Sequence, residues 1–172
     1  VWIKNGTKIA FLSSTDDGMQ LFTMDPNGEN RKQISNVEKG IDGFLFSPDE
    51  TKILLIRNIK YGKASTDVYP DLDKADVKIV DDLMYKHWDH WVTEIPHPFI
   101  GNVSEDGISD IVDIMEGEPY ECPMLPFGGT ESFSWSPDSK TIAYSSRKKT
   151  GMEYSLSTNS DIYLYNLETK ET

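Results

Sequence analysis

Phe44-Leu45-Phe46-Ser47-Pro48-Asp49-Glu50-Thr51-Lys52-Ile53 aligns without a gap on Phe133-Ser134-Trp135-Ser136-Pro137-Asp138-Ser139-Lys140-Thr141-Ile142, and a worn copy, Val1-Trp2-Ile3-Lys4-Asn5-Gly6-Thr7-Lys8-Ile9, opens the chain. The aromatic anchors Trp2, Phe46 and Trp135 stand 44 and 89 residues apart. The first interval is the period of roughly 40 to 45 residues of a β-propeller blade, and the second is about twice that.

Each copy has a physical reading. Phe44 and Phe46, like Phe133 and Trp135, alternate with the two-residue period of a half-buried strand. Ser-Pro-Asp-x then turns the chain, because proline presets φ at the second turn position and aspartate can bond the backbone two residues on. A more apolar run follows each time: Ile9-Ala10-Phe11-Leu12, Ile53-Leu54-Leu55-Ile56 and Ile142-Ala143-Tyr144. A third strand is predicted at Gln20-Leu21-Phe22-Thr23-Met24 and at Asp161-Ile162-Tyr163-Leu164-Tyr165, each followed by a turn-rich polar stretch. The expected fold is all-β, a β-propeller segment of about three blades over about residues 1–40, 41–128 and 129–172, the last incomplete, with an insertion at about 60–95 in the second. Closed propellers carry roughly four to eight blades and three would leave open sheet edges, so a segment of a larger protein is expected.

Charged residues make up 27% of the chain and aromatics 11%. No apolar run approaches the roughly 20 residues needed to span a bilayer, and no membrane contact is expected. The net charge of −12 argues against nucleic acid as a partner, since that binding relies on basic residues. It is compatible with cationic ligands such as a peptide's N-terminal ammonium, although acidic turns that keep a β-rich surface soluble are the plainer source of it. Cys122 is the single cysteine, so no internal disulfide can form.

The stretched second repeat is where function is expected. Almost forty residues separate Asn58 from the next strand, predicted at His97-Pro98-Phe99-Ile100-Gly101-Asn102-Val103. Ordinary hairpin loops have about 2 to 5 residues, and long insertions tend to be binding loops or lids. A helix is predicted over Ala75–Trp91, which lacks glycine and proline and spaces Leu83, Met84, His87, Trp88 and Trp91 by threes and fours. Asp81 and Asp82 would lie near its start, as the helix dipole prefers, and its Leu83, Met84 and Trp88 side would dock on the propeller rim. His87 and His90 would share a face, but zinc needs a third or fourth donor, so the histidines read as structural or exposed; neither metal nor cofactor is expected. Arg147-Lys148-Lys149 reads as an exposed hairpin tip.

Four stretches together resemble one family: Asp67-Val68-Tyr69-Pro70-Asp71-Leu72; Asp81-Asp82-Leu83-Met84-Tyr85-Lys86-His87-Trp88-Asp89-His90-Trp91; Gly117-Glu118-Pro119-Tyr120-Glu121 with Pro126-Phe127-Gly128-Gly129; and Thr158-Asn159-Ser160-Asp161-Ile162-Tyr163. They look like the propeller portion of bacterial dipeptidyl peptidases, 5-like or 4-like, of the prolyl oligopeptidase family of serine peptidases. The resemblance implies a two-domain enzyme, in which the propeller covers a C-terminal α/β-hydrolase domain bearing a Ser-Asp-His triad. Its insertions would gate entry and supply an acidic group for the substrate's α-ammonium, whose fixed distance from the nucleophile decides which bond is cut. Peptide substrate and hydrolase domain are the implied partners, a homodimer is compatible, and a periplasmic or secreted location is implied. These residues contain no Gly-x-Ser-x-Gly elbow and no strand-helix alternation, so no catalytic residue is expected among them. A non-enzymatic TolB-like propeller acting as a protein-binding scaffold is the alternative.

Given that resemblance, two groups of carboxylates are candidates for the ammonium. Asp89 is flanked by Trp88 and Trp91, whose faces could line the pocket. Glu116, Glu118 and Glu121 form the second group, just ahead of Pro-Phe-Gly-Gly. In dipeptidyl peptidase 4 relatives a double-glutamate helix precedes a Trp-Ser-Pro strand at a similar place, a motif not reproduced residue for residue in this chain.

Overall fold

The repeated phrase folds the same way each time, with its aromatic anchor opposite an isoleucine across the turn: Trp2 with Ile9, Phe46 with Ile53 and Trp135 with Ile142. The computed structural model describes residues 1–75 and 77–172. Strands β1 (Trp2–Ile3), β2 (Lys8–Thr15), β3 (Gly18–Met24) and β4 (Lys32–Gln33) form a first antiparallel sheet in chain order. The second contains β5 (Gly43–Phe46) and β6 (Lys52–Lys60), then, after an insertion bearing the hairpin β7 (Lys86–His87) and β8 (His90–Trp91), β9 (Glu94–Val103) and β10 (Ile108–Asp113). The third is β11 (Phe133–Trp135), β12 (Thr141–Ser146) and β13 (Asp161–Asn166). The three sheets make a β-propeller segment.

Side-chain bonds explain the Ser-Pro-Asp turns. The Ser47 hydroxyl donates to Asp49 Oδ1 at 2.6 Å, the same oxygen accepts the Thr51 N–H at 3.0 Å, and Ser47 Oγ accepts the Lys52 N–H at 3.0 Å. The third copy repeats the set at Ser136, Asp138, Lys140 and Thr141. Glu50 and Ser139, each following the aspartate, take the left-handed conformation that closes the turn, at φ 55° and 60°. Neighbouring copies are clasped: the Lys4 N–H donates to the Glu50 carboxylate at 2.8 Å, and the Asp49 N–H to Ser139 Oγ at 3.2 Å.

The Ser47 hydroxyl, with the Thr51 N–H next, holds the Asp49 carboxyl down to about 2, below its ordinary 3.8. A depressed carboxylate contributes stability above its unfolded value and loses it as pH falls through the folded one. Asp49→Asn is therefore expected to be less stable than the natural protein at neutral pH, with the gap closing between about pH 4 and about pH 2. Urea unfolding across that range checks it, and a gap of constant size would contradict the assignment.

Burial on both faces accounts for the unbroken apolar run of β6. Ile53 and Leu55 pack in the cluster shared with the first sheet, around Ala10, Leu21 and Ile41. Leu54 and Ile56 point the other way, into a cluster with Ile100, Phe133, Ile142 and Tyr144.

The insertion departs from expectation. It holds one helical turn, α1 (Ser65–Val68), whereas the helix expected over Ala75–Trp91 is absent among the described residues of that stretch, from which Asp76 is excluded. Trp88 and Asp89 form the two-residue turn of the β7–β8 hairpin, and His87 and His90 face each other across it rather than sharing a helix face. Two effects work against a helix here. The β-branched Val77, Ile79 and Val80 favour extended backbone, and the Asp82 carboxylate accepts the N–H groups of Met84 at 3.0 Å and Gly151 at 3.0 Å, offering the chain local bonds outside a helix. Of the residues expected to dock, Met84 is buried, while Leu83 and Trp88 are exposed.

Topology gathers the unusual segments at one end of the sheets. The insertion joins the end of β6 to the start of β9, and the link 114–132 leads into β11. The connection after β12 carries the short helix α2 (Gly151–Leu156) at that same end. The Ser-Pro-Asp turns lie at the other.

Candidate functional site

At the insertion end, one buried carboxylate ties three of these segments together. Glu121, from the link 114–132, is 1% exposed. Its Oε2 lies 2.8 Å from His87 Nε2 of the hairpin. Its Oε1 accepts the Tyr154 hydroxyl of α2 at 3.2 Å and is 3.8 Å from the Arg147 guanidinium at the end of β12. Arg147 in turn lies over the Tyr154 ring, 3.8 Å from its centroid. Burial pushes the Tyr154 hydroxyl well above its ordinary pKa, with the Glu121 charge adding to the effect, so the phenol stays a donor. The Ser146 hydroxyl donates to the Glu121 carbonyl at 3.2 Å, fixing the link's backbone to β12.

Beyond that anchor the hairpin projects into solvent. Trp88 adopts φ 50°, a left-handed conformation that costs a bulky residue energy, and is nonetheless 73% exposed. Its ring meets Phe127 of Pro-Phe-Gly-Gly edge-on, with centroids 5.2 Å apart, and Phe127 is itself 79% exposed. Asp89, next to Trp88, is 82% exposed and lies 2.6 Å from His90 Nδ1. Trp91 is turned toward Tyr85, their centroids 6.2 Å apart, with the Lys86 ammonium over its ring.

The sequence candidates therefore separate. Asp89 and Glu116 are exposed, Glu118 is paired with Lys148 at 2.6 Å, and Glu121 is buried among His87, Tyr154 and Arg147. Arg147 and Lys148, expected at an exposed tip, are largely buried partners of these two glutamates, and for Lys148 the inward alternation of β12 simply continues past its end. Two cavities open at this end. One of about 350 Å³ lies between Tyr61, Val77, Val80, Tyr85 and Trp91, with Lys63 among its walls. The other, about 390 Å³, lies beside Pro-Phe-Gly-Gly and has two acidic walls that motif reading passes over, Asp42 and Glu131.

No protein-family model matches the chain. Dipeptidyl-peptidase 5 of Porphyromonas gingivalis is 60% identical to it over 171 residues, a match covering 99% of this chain and 25% of that protein. Over nearly its whole length the chain is thus similar to a dipeptidyl-peptidase 5 sequence. The protein of that name from Porphyromonas endodontalis is 43% identical over 171 residues, again covering 99% of this chain and 25% of that protein. The chain spans about a quarter of the length of these curated relatives. Among solved structures, the tricorn protease aligns at a TM-score of 0.52 with 13% identity, over 96% of this chain and 12% of that one, a likeness of fold alone. Within this chain, the stretch His87–Trp91 and the Pro-Phe-Gly-Gly stretch, far apart in sequence, meet through Trp88 and Phe127.

Proposed function

We propose that these residues form the propeller part of a serine dipeptidyl peptidase, gating entry to the active site and helping to anchor the free N-terminus of peptide substrates. The observation that carries this reading is the 60% identity to a dipeptidyl-peptidase 5 over 99% of the chain. The catalytic nucleophile, the α/β-hydrolase domain that would bear it and a periplasmic or secreted setting all belong to the proposal. Among the described residues, no helix is long and apolar enough to cross a membrane.

The ammonium falls to Asp89, with Glu116 as the other exposed carboxylate of the candidate set. Glu118 and Glu121 act in construction, since their negative charge is already matched by Lys148 and Arg147. The exposed Asp89–His90 pair is weak by virtue of solvent screening, so an incoming ammonium can take the place of the imidazole. Trp88 and Phe127 supply an aromatic wall beside it, suited both to a cation and to an apolar substrate side chain.

The test uses the full-length protein and a pair of chromogenic dipeptidyl substrates, one with a free amino terminus and one N-acetylated. Release from the first alone is expected, together with a rise in KM of about tenfold for Asp89→Ala, the scale of one lost charge-assisted bond. Equal cleavage of the two substrates would overturn N-terminal anchoring, and unchanged kinetics in the variant would remove Asp89 from the site.

A further inference from the structure

The hairpin that carries Trp88 and Asp89 is only two residues deep on each strand, too short to hold its own position. Its side-chain contacts with the propeller include the Trp88–Phe127 ring contact, which is open to solvent, and the His87–Glu121 bond, which is not: the His87 side chain is 14% exposed and Glu121 1%. The acceptor is itself immobile. Glu121 is held by Tyr154 and Arg147, both in the connection between β12 and β13 of the third sheet, whereas the hairpin is an insertion in the second. His87 thus fastens a loop of one sheet to a fixed point on its neighbour.

We propose that His87 is the positioning residue of this hairpin: its bond to Glu121 holds the Trp88–Asp89 tip over Phe127 and so sets the capture of substrate, a role that rests on the reading of the tip given above. His87 touches no substrate in this arrangement; it acts through the two residues that follow it. The acceptor is charged and the site is largely dry, so the bond is of the stronger kind. Its loss is expected to raise the population of detached hairpin by about 10- to 100-fold.

Three variants of the full-length protein separate a latch from a packing role. His87→Phe keeps a ring against Tyr154 but has no donor, His87→Ala removes both, and His87→Gln restores an amide donor near the position of Nε2. Amide exchange over 85–92 is expected to speed up by about 10-fold or more in the first two variants and to return toward the natural rate in the third. KM is expected to rise by about tenfold with kcat within about twofold in the first two, again with recovery in the glutamine variant. Unchanged exchange in His87→Phe would overturn the latch. Faster exchange with KM unaltered would overturn its part in capture. If the natural protein releases no dipeptide at all, the peptidase reading and the capture role both fail, and the exchange data still decide the latch.

Discussion

Glu121→Ala is expected to destabilise the propeller by about 3 to 5 kcal/mol, the scale seen when one member of a buried charge pair is removed. The size follows from what is left behind. Arg147 is 16% exposed, stacked on Tyr154, and would lose the carboxylate 3.8 Å away. The Tyr154 hydroxyl and the His87 ring nitrogen would lose their partner in the same step. Replacing the pair together, as Glu121→Met with Arg147→Met, is expected to recover much of the loss, because the two apolar chains fill the space without an orphaned charge. Urea unfolding of the full-length single and double variants checks this. A double variant as unstable as Glu121→Ala would show that Arg147 is not what makes the loss costly.

Leu54→Ala carries the second large effect, a loss of about 2 to 5 kcal/mol, in the upper part of that range if the cavity stays open. Leu54 is fully buried and belongs to the cluster where the second and third sheets meet, with Ile100, Phe133, Ile142 and Tyr144 around it. Strands brace the site from both sides, leaving little freedom for collapse into the gap. The same unfolding measurement applies, and a loss below about 1 kcal/mol would mean that the two sheets do not pack as described.

Legibility differed sharply between the repeat and the insertion. Ser47, Asp49, Ser136 and Asp138 bond within their own turns, so the chemistry that shapes them is local and can be read from adjacent residues. Alternation then sets the register, and Ile53 and Ile142 stand opposite Phe46 and Trp135 as the aligned copies require. The insertion offers no such local statement. Leu83, Met84, His87, Trp88 and Trp91 have helical spacing, yet the contacts that settle their conformation come from afar: Glu121 for His87, Phe127 for Trp88, and Gly151 for Asp82. Spacing within a segment cannot report a partner more than thirty residues away.

The candidate carboxylates show the same division. Nothing in the sequence around Glu118 and Glu121 distinguishes a solvated loop acid from a buried one, and the cations that decide the matter lie in a different repeat. A signal was available at Lys148: Tyr144 and Ser146 point inward on β12, and Lys148 continues that two-residue alternation to Glu118. Its charge argued for solvent, and the period argued for the interior. Asp89, by contrast, is exposed at a turn that sequence reasoning had placed within a helix, so its accessibility survives a change in its secondary structure.

The most direct test of the claim that the insertion end faces substrate is photo-crosslinking on the full-length protein, using a peptide with a free amino terminus and a photoreactive first side chain. Attachment within 85–91 or 125–131 is the predicted result, competed away by an unmodified peptide. Attachment at the opposite end, around the Ser-Pro-Asp turns, or none within these 172 residues, would contradict it.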